Sequence, residues 1–347
     1  MRVMASRLED LGSEVTDHGG SLGRAETLFP GAPKPWLDLS TGINPYSYPL
    51  PDFPASAFER LPEEEALRDL ADIAARAYGA PAGANVAAAP GTQILLPLVA
   101  ACVPPGKAAV LSPTYAEHRR AAALAGHDVR EVQDFATLFD ADLAILVNPN
   151  NPDGRVINRA DLLALARHMR ERGGLLVVDE AFMDVGPEAE RLDGDVEAGG
   201  IVVLRSFGKF FGLAGLRLGF AIAARPLAQV LRARLGPWAV GGPALAVGRA
   251  ALSDFQWQAE MRAKLMKRTA ALDVLLAESG IAAAGGTPLF RFLRTHEAES
   301  LFNALGRDGI LVRNFSGDLH ALRVGLPGDE DAFDRLSRSL RRWRHAG

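Results

Sequence analysis

Cysteine occurs once in 347 residues, at Cys102 within "LLPLVAACVPPG", so no disulfide can form inside the chain. That scarcity fits a reducing compartment, and the apolar neighbours make Cys102 a small core residue rather than a nucleophile. No run reaches the roughly 18 apolar residues of a transmembrane helix. The N-terminal "MRVMASRLEDLGSE" also lacks the apolar stretch of a secretory leader. A cytoplasmic protein without a membrane partner is therefore expected. Basic surplus is missing too: net charge is -4 and the isoelectric point about 6.0, which argues against a nucleic-acid partner. No metal site is expected, and there are no repeats or low-complexity tracts. Lysine itself is scarce, with only five among the 38 Lys and Arg residues. One of them, Lys209, sits between aromatics and glycines in "RSFGKFFGLAGLR".

What is present is a chain long enough for two domains. Short apolar runs, "KAAVLSP" (107–113), "LAILVNP" (143–149), "GLLVVDE" (174–180), "GIVVLRSF" (200–207) and "RLGFAIA" (217–223), alternate with helical segments. One such segment, "NRADLLALARHMRERGG", has Asn158 as its N-cap, Asp161 at capping-box spacing and a closing glycine. This alternation predicts an α/β fold with a mostly parallel sheet between helices. Beyond about Pro237 the texture shifts to a smaller α+β domain. The division expected is an N-terminal arm over 1–45 packing with the small domain, a large ligand-binding domain over 46–236, and a C-terminal small domain over 237–347.

Parallel sheets bind ligands beyond the C-terminal ends of their strands. Three runs end there in polar residues: Asn148 to Asn151, Asp179 with Glu180, and Ser206 to Lys209. Each has a plain alternative. Lys209 reads equally as a solvated loop lysine, Asp179 as a helix cap, "NPNNPDG" as a turn, and Tyr115 in "SPTYAEH" as core. Gly91-Thr92-Gln93 opens an apolar helix, either as an ordinary start or as an anion site using free N–H groups.

Taken together in chain order, this set resembles the fold-type I pyridoxal-phosphate enzymes, and the resemblance covers nearly the whole chain. Ser206 lies three residues before Lys209 and Arg217 eight after it, as in that family. The resemblance implies pyridoxal 5'-phosphate as cofactor, bonded through its aldehyde by Lys209. Asp179 would face the ring nitrogen, Asn151 the ring oxygen and Tyr115 the ring face. Gly91, Thr92, Ser206 and Arg217 would hold the phosphate, with Gln93 a further donor at the cofactor and Phe182 beside the ring. Arg323 in "ALRVGLP" matches the arginine that binds the substrate α-carboxylate. A homodimer with its active site at the subunit interface is implied as well.

Two branches of this histidinol-phosphate aminotransferase-like family compete, the aminotransferases themselves and the threonine-phosphate decarboxylases of cobalamin synthesis. "DHGGSLGRAE", "LDLSTGINPYSYP" and "GPWAVGGPAL" resemble decarboxylase segments. Phe182 in "DEAFMD" stands where aminotransferases carry a tyrosine. That branch implies a phosphorylated amino acid as substrate, its phosphate held by His18, Gly19, Gly20, Asn44 and Arg313. The expected reaction is decarboxylation of L-threonine O-3-phosphate; the alternatives are transamination of histidinol phosphate and a catalytically silent binding module. Two positions depart from the family: Leu61 replaces a tyrosine that reaches the neighbouring subunit's cofactor, and Gly208 replaces a Ser or Thr.

Overall fold

A computed structural model describes residues 18–346. The leader expectation and residues 1–17 of the arm, including Asp17 of "DHGG", lie outside the described residues. Twelve strands occur among the described residues: β1 (Leu37–Leu39), β2 (Val86–Ala89), β3 (Lys107–Leu111), β4 (Asp128–Val132), β5 (Leu143–Val147), β6 (Leu175–Asp179), β7 (Ile201–Ser206), β8 (Gly219–Ala223), β9 (Ala283–Thr287), β10 (Phe290–Arg294), β11 (Ile310–Phe315) and β12 (Asp318–Gly325). Backbone packing separates two units, one of Tyr48–Asn151 and Val156–Phe255, the other of residues 18–47, Pro152–Arg155 and 256–346.

The first unit is built on a seven-stranded sheet in the order β2-β8-β7-β6-β5-β3-β4, with β8 running against the other six. Strands β5, β6 and β8 are buried along their whole length, as expected where helices cover both faces. Strand β4, "DVREV", is the polar edge, and its charges protect it from pairing further. The helix Arg159–Glu171 begins as its sequence requires: Asn158 Oδ1 accepts from the Asp161 N–H at 2.9 Å, and Gly173 follows with φ 72°. The helix Gly242–Ser253 also belongs to this unit, because Gly248 lets it close onto Leu70 and Leu218.

Sheet order carries the functional consequence. From β3 the chain moves outward to β4, then returns to the other side of β3 as β5 and continues to β6 and β7. The strand order thus reverses between β3 and β5, the place where open α/β sheets form a ligand crevice. Because β8 is antiparallel, its start meets the ends of its neighbours, with Gly219 opposite both Ser206 and Ala89.

The second unit holds a five-stranded sheet in the order β1-β11-β12-β10-β9, antiparallel except for the β1–β11 pair. Phe29 fastens the N-terminal segment here, 5.5 Å from the Phe302 ring and packed where a side chain at Gly306 would collide. Arg335 adds donors to the carbonyls of Pro33, Pro35, Asp308 and Gly309. The short 152–155 segment reaches β9 through Gly154, whose φ of 76° and contact with Gly286 leave no room for a Cβ.

Candidate active site

In the first unit, side-chain alternation along β6 and β7 sorts the polar residues. Asp179 continues the face of Leu175 and Val177, and Ser206 that of Val202 and Leu204, all four apolar residues belonging to one core cluster. Glu180 and Arg205 point to the opposite face. At the near edge, the helix Thr92–Ala100 starts with Gly91 at φ 90° and no side-chain cap. A Cβ on Gly91 would lie 2.6 Å from Arg217 Nη2, so the guanidinium rests against the helix start. A Cβ on Gly219 would lie 2.6 Å from the Thr92 nitrogen. Arg217 adopts φ 55°, a left-handed conformation uncommon outside glycine, and its Nη1 donates to the Ala214 carbonyl at 3.1 Å. The uncapped helix start, the guanidinium against it and Ser206, in register with Gly219 on the next strand, are groups of the kind an anion site uses.

Asp179 is almost fully buried. Its Oδ1 accepts from the Ala181 N–H at 3.0 Å and its Oδ2 from His118 Nε2 at 3.0 Å. His118 was not singled out from the sequence; its place three residues after Tyr115, one helical turn on, is the only signal of it. The Tyr115 ring meets His118 edge-on with centroids 5.9 Å apart, and its hydroxyl donates to Gln93 Oε1 at 3.1 Å. Burial pushes the Tyr115 phenol up to about 12, helped by Glu117 and Asp179 and opposed by Arg217. Asn148 and Asn150 are occupied in shaping their turn, the first with Ile157 and the second with Pro113 and Thr114. Asn151, half-buried, follows at the end of that turn.

Lys209 lies in the single helical turn Phe207–Phe210, half-buried, with Nζ 5.9 Å from the centre of the buried Phe182 ring. The aromatics around it are anchors. Phe207, Phe210 and Phe211 are fully buried, Phe207 stacks on Phe211 at 4.3 Å, and the Tyr48 N–H donates to the Phe211 carbonyl. Gly208 has a steric reason: a Cβ there would sit 2.7 Å from the Ala214 Cα. Gly208→Ser therefore does not supply an extra phosphate hydroxyl at no cost. It is expected to destabilise the protein by about 1–3 kcal/mol, read as a lower urea midpoint.

On the far face of the same strands, Arg205 is fully buried between Asp193, which it meets through Nε (3.0 Å) and Nη2, and Glu180 (3.0 Å). Burial pushes the Glu180 carboxyl well up despite the pull of Arg205. This network too was not singled out from the sequence.

The second unit gathers the remaining candidates. Arg323 on β12 lies directly opposite Arg313 on β11, and its Nη2 donates to the Ser40 carbonyl at 2.7 Å. Burial, and after it the Arg313 charge, bring the Arg323 guanidinium down to about 10 against the opposing pull of Asp38. Two cations that face each other across paired strands make a place that an anion would stabilise. A cleft beside them is lined by His18, Gly19, Ser21, Arg24, Ser40 and Arg313. Gly19 packs on Ser40, and the Gly20 N–H, at φ 83°, donates to Ser40 Oγ at 2.7 Å. Asn44 is buried and accepts from the Tyr46 N–H at 2.8 Å.

Comparison with known proteins shows the family. The family profile for aminotransferase class I and II matches residues 62–340. The threonine-phosphate decarboxylase of Pseudomonas aeruginosa is 43% identical over 94% of this chain and 97% of its own. That of a Sinorhizobium species is 41% identical over 94% and 97%. Among solved structures, the histidinol-phosphate aminotransferase from Sinorhizobium meliloti in complex with pyridoxal-5'-phosphate superposes with a TM-score of 0.79 at 20% identity, covering 93% of this chain and 94% of that one, a likeness of fold. The chain belongs to the class I and II aminotransferase family, on the branch of the threonine-phosphate decarboxylases.

Proposed function

We propose that the protein is a pyridoxal 5'-phosphate-dependent decarboxylase that converts L-threonine O-3-phosphate to (R)-1-aminopropan-2-yl phosphate and CO2. The observation that carries this reading is the 43% identity with a threonine-phosphate decarboxylase across 94% of the chain. The residues fit the cofactor. The cradle of Gly91, Thr92, Ser206 and Arg217 suits its phosphate, since Gly91 keeps clear the space against Arg217 that a side chain would fill. Buried Asp179, held by His118, suits a cationic ring nitrogen. Tyr115 suits the ring face, Asn151 the ring oxygen, and Phe182 offers no hydroxyl to that oxygen.

Pyridoxal 5'-phosphate, when bound, supplies the electron sink for the pair released as a bond to the substrate Cα breaks. The chain's own residues choose the bond. Arg323 grips the α-carboxylate, while His18, the Gly19 and Gly20 amides, Asn44 and Arg313 grip the substrate phosphate. Two fixed anionic ends set the rotation about Cα, so binding remote from the reacting bond selects the carboxylate for departure. The Cα–carboxylate bond breaks, CO2 leaves, and a proton from Lys209 Nζ takes its place on Cα.

The same reading implies a homodimeric cytoplasmic enzyme in cobalamin synthesis. In the first unit, exposed Leu50, Phe58, Leu61 and Trp238 are large apolar side chains of the kind a second copy would cover. No helix among the described residues is long and apolar enough to cross a membrane.

Incubation with phosphothreonine and cofactor, without any 2-oxo acid, is expected to release CO2 and the amino alcohol phosphate in equal amounts. Turnover of histidinol phosphate that depends on an added 2-oxo acid would replace this reading with transamination. Inertness toward both substrates would leave a binding module.

A further inference from the structure

We propose that Glu117 is a positioning residue for the cofactor site, fixing the orientation of the Tyr115 ring through Gln93. The inference rests on the pyridoxal-phosphate reading above. Tyr115 must present a flat face at a constant tilt, yet the aromatic χ2 torsion is broad, so stacking alone does not define that tilt. The hydroxyl is tied instead. It donates to Gln93 Oε1 at 3.1 Å, and Gln93 Nε2 donates to Glu117 Oε2 at 2.8 Å.

The direction of this chain is not interchangeable. An ionised carboxylate only accepts, so Gln93 must turn its NH2 to Glu117 and its oxygen to Tyr115. The phenol then has to donate, which requires it to keep its proton, and burial with the nearby Glu117 charge favours that form. Glu117 is 5% exposed, an expensive place for a carboxylate unless its hydrogen bonds matter, and Arg120 Nη1 lies 3.5 Å away. Gln93 stands on the helix that starts at the anion cradle, and Glu117 opens the helix Glu117–Leu124. The two helices are thereby linked by the Gln93–Glu117 hydrogen bond, and the Tyr115 hydroxyl is tied to that link through Gln93.

The test uses the purified full-length protein stripped of cofactor and two readouts that need no turnover. One is the dissociation constant for pyridoxal 5'-phosphate, the other the induced circular dichroism of the bound cofactor, which reports its seating. Glu117→Ala is expected to weaken binding about five-fold, the scale of one net hydrogen bond, and to change the induced signal. Tyr115→Phe, which keeps the ring and removes the donor, should do the same. The double variant should be no weaker than either single one, because both cut one chain. Glu117→Gln, which retains an acceptor of the same size, should stay within about two-fold of wild type.

Single effects that multiply to about 25-fold in the double variant would overturn the proposal. So would Glu117→Gln binding as weakly as Glu117→Ala, or an unchanged induced signal in Glu117→Ala. Wild-type protein that takes up no cofactor overturns the functional reading and this inference together. Wild-type binding with multiplying effects overturns the inference alone.

Discussion

Lys209→Ala is expected to lower turnover of phosphothreonine by about four orders of magnitude, at the upper end of what a positioned proton donor contributes. The expected loss would combine the two roles proposed for one nitrogen, covalent attachment of the cofactor and proton delivery to Cα. Lys209→Arg should not rescue it, since a guanidinium stays protonated and bonds differently. Folding should be unaffected, because the anchors of this turn are Phe207, Phe210 and Phe211, all fully buried, and not the half-buried lysine. The experiment is a steady-state CO2 assay beside a urea melt of the same preparation. A variant retaining more than about one hundredth of wild-type activity would refute the assignment of Lys209.

Arg205→Leu acts in the opposite way, through stability. Arg205 has no exposed surface, lies 4.9 Å from the Tyr78 ring centre, and is the cation between Asp193 and Glu180. Removing it strands buried carboxylates, a change that costs about 3–5 kcal/mol when one partner of a buried pair is lost. Unfolding in urea should register it, and a loss under about 1 kcal/mol would mean the network is dispensable. Glu180→Gln should be much milder. Burial raises the Glu180 carboxyl well above its ordinary value, so the folded protein holds that proton more tightly than the unfolded chain does. Its contribution to stability is therefore full below the unfolded carboxylate range and declines as pH rises through the raised value. Glutamine removes that dependence, so any gain over wild type should grow with pH.

Much of this arrangement is legible in the amino-acid order. The five apolar runs correspond to β3, β5, β6, β7 and β8, and the polar residues that end or follow β5, β6 and β7 lie at the C-terminal ends of those parallel strands. Two strands of that sheet are not signalled by hydrophobicity. "VAAA" of β2 is alanine-rich and reads as helix, while "DVREV" of β4 is an edge whose charges look like loop. Lys209 is legible as a candidate site residue, but the purpose of its aromatic neighbours is not, since burial separates Phe207 from Lys209 only once the chain is folded. His118, Glu117 and the Arg205 network escape for a common reason. Their partners come from other elements, and no periodicity within one helix or strand encodes a pairing between two. Gly208 illustrates the same limit: it reads as a missing hydroxyl, whereas its cause is the Ala214 backbone.

The pairing of β1 with β11 has a consequence during synthesis. Leu37 and Leu39 leave the ribosome early, but their strand partners Ile310 and Val312 emerge only after the whole first unit. At ordinary elongation rates that delay is roughly tens of seconds. Throughout it Phe29, Trp36 and the β1 edge have neither Phe302 nor the Arg335 clamp to cover them. The nascent chain thus carries an uncovered apolar segment for the whole time the first unit is being made. Until residues 256–346 arrive that segment stays uncovered, so substitutions that delay β11 are expected to lower the yield of soluble protein before they lower activity.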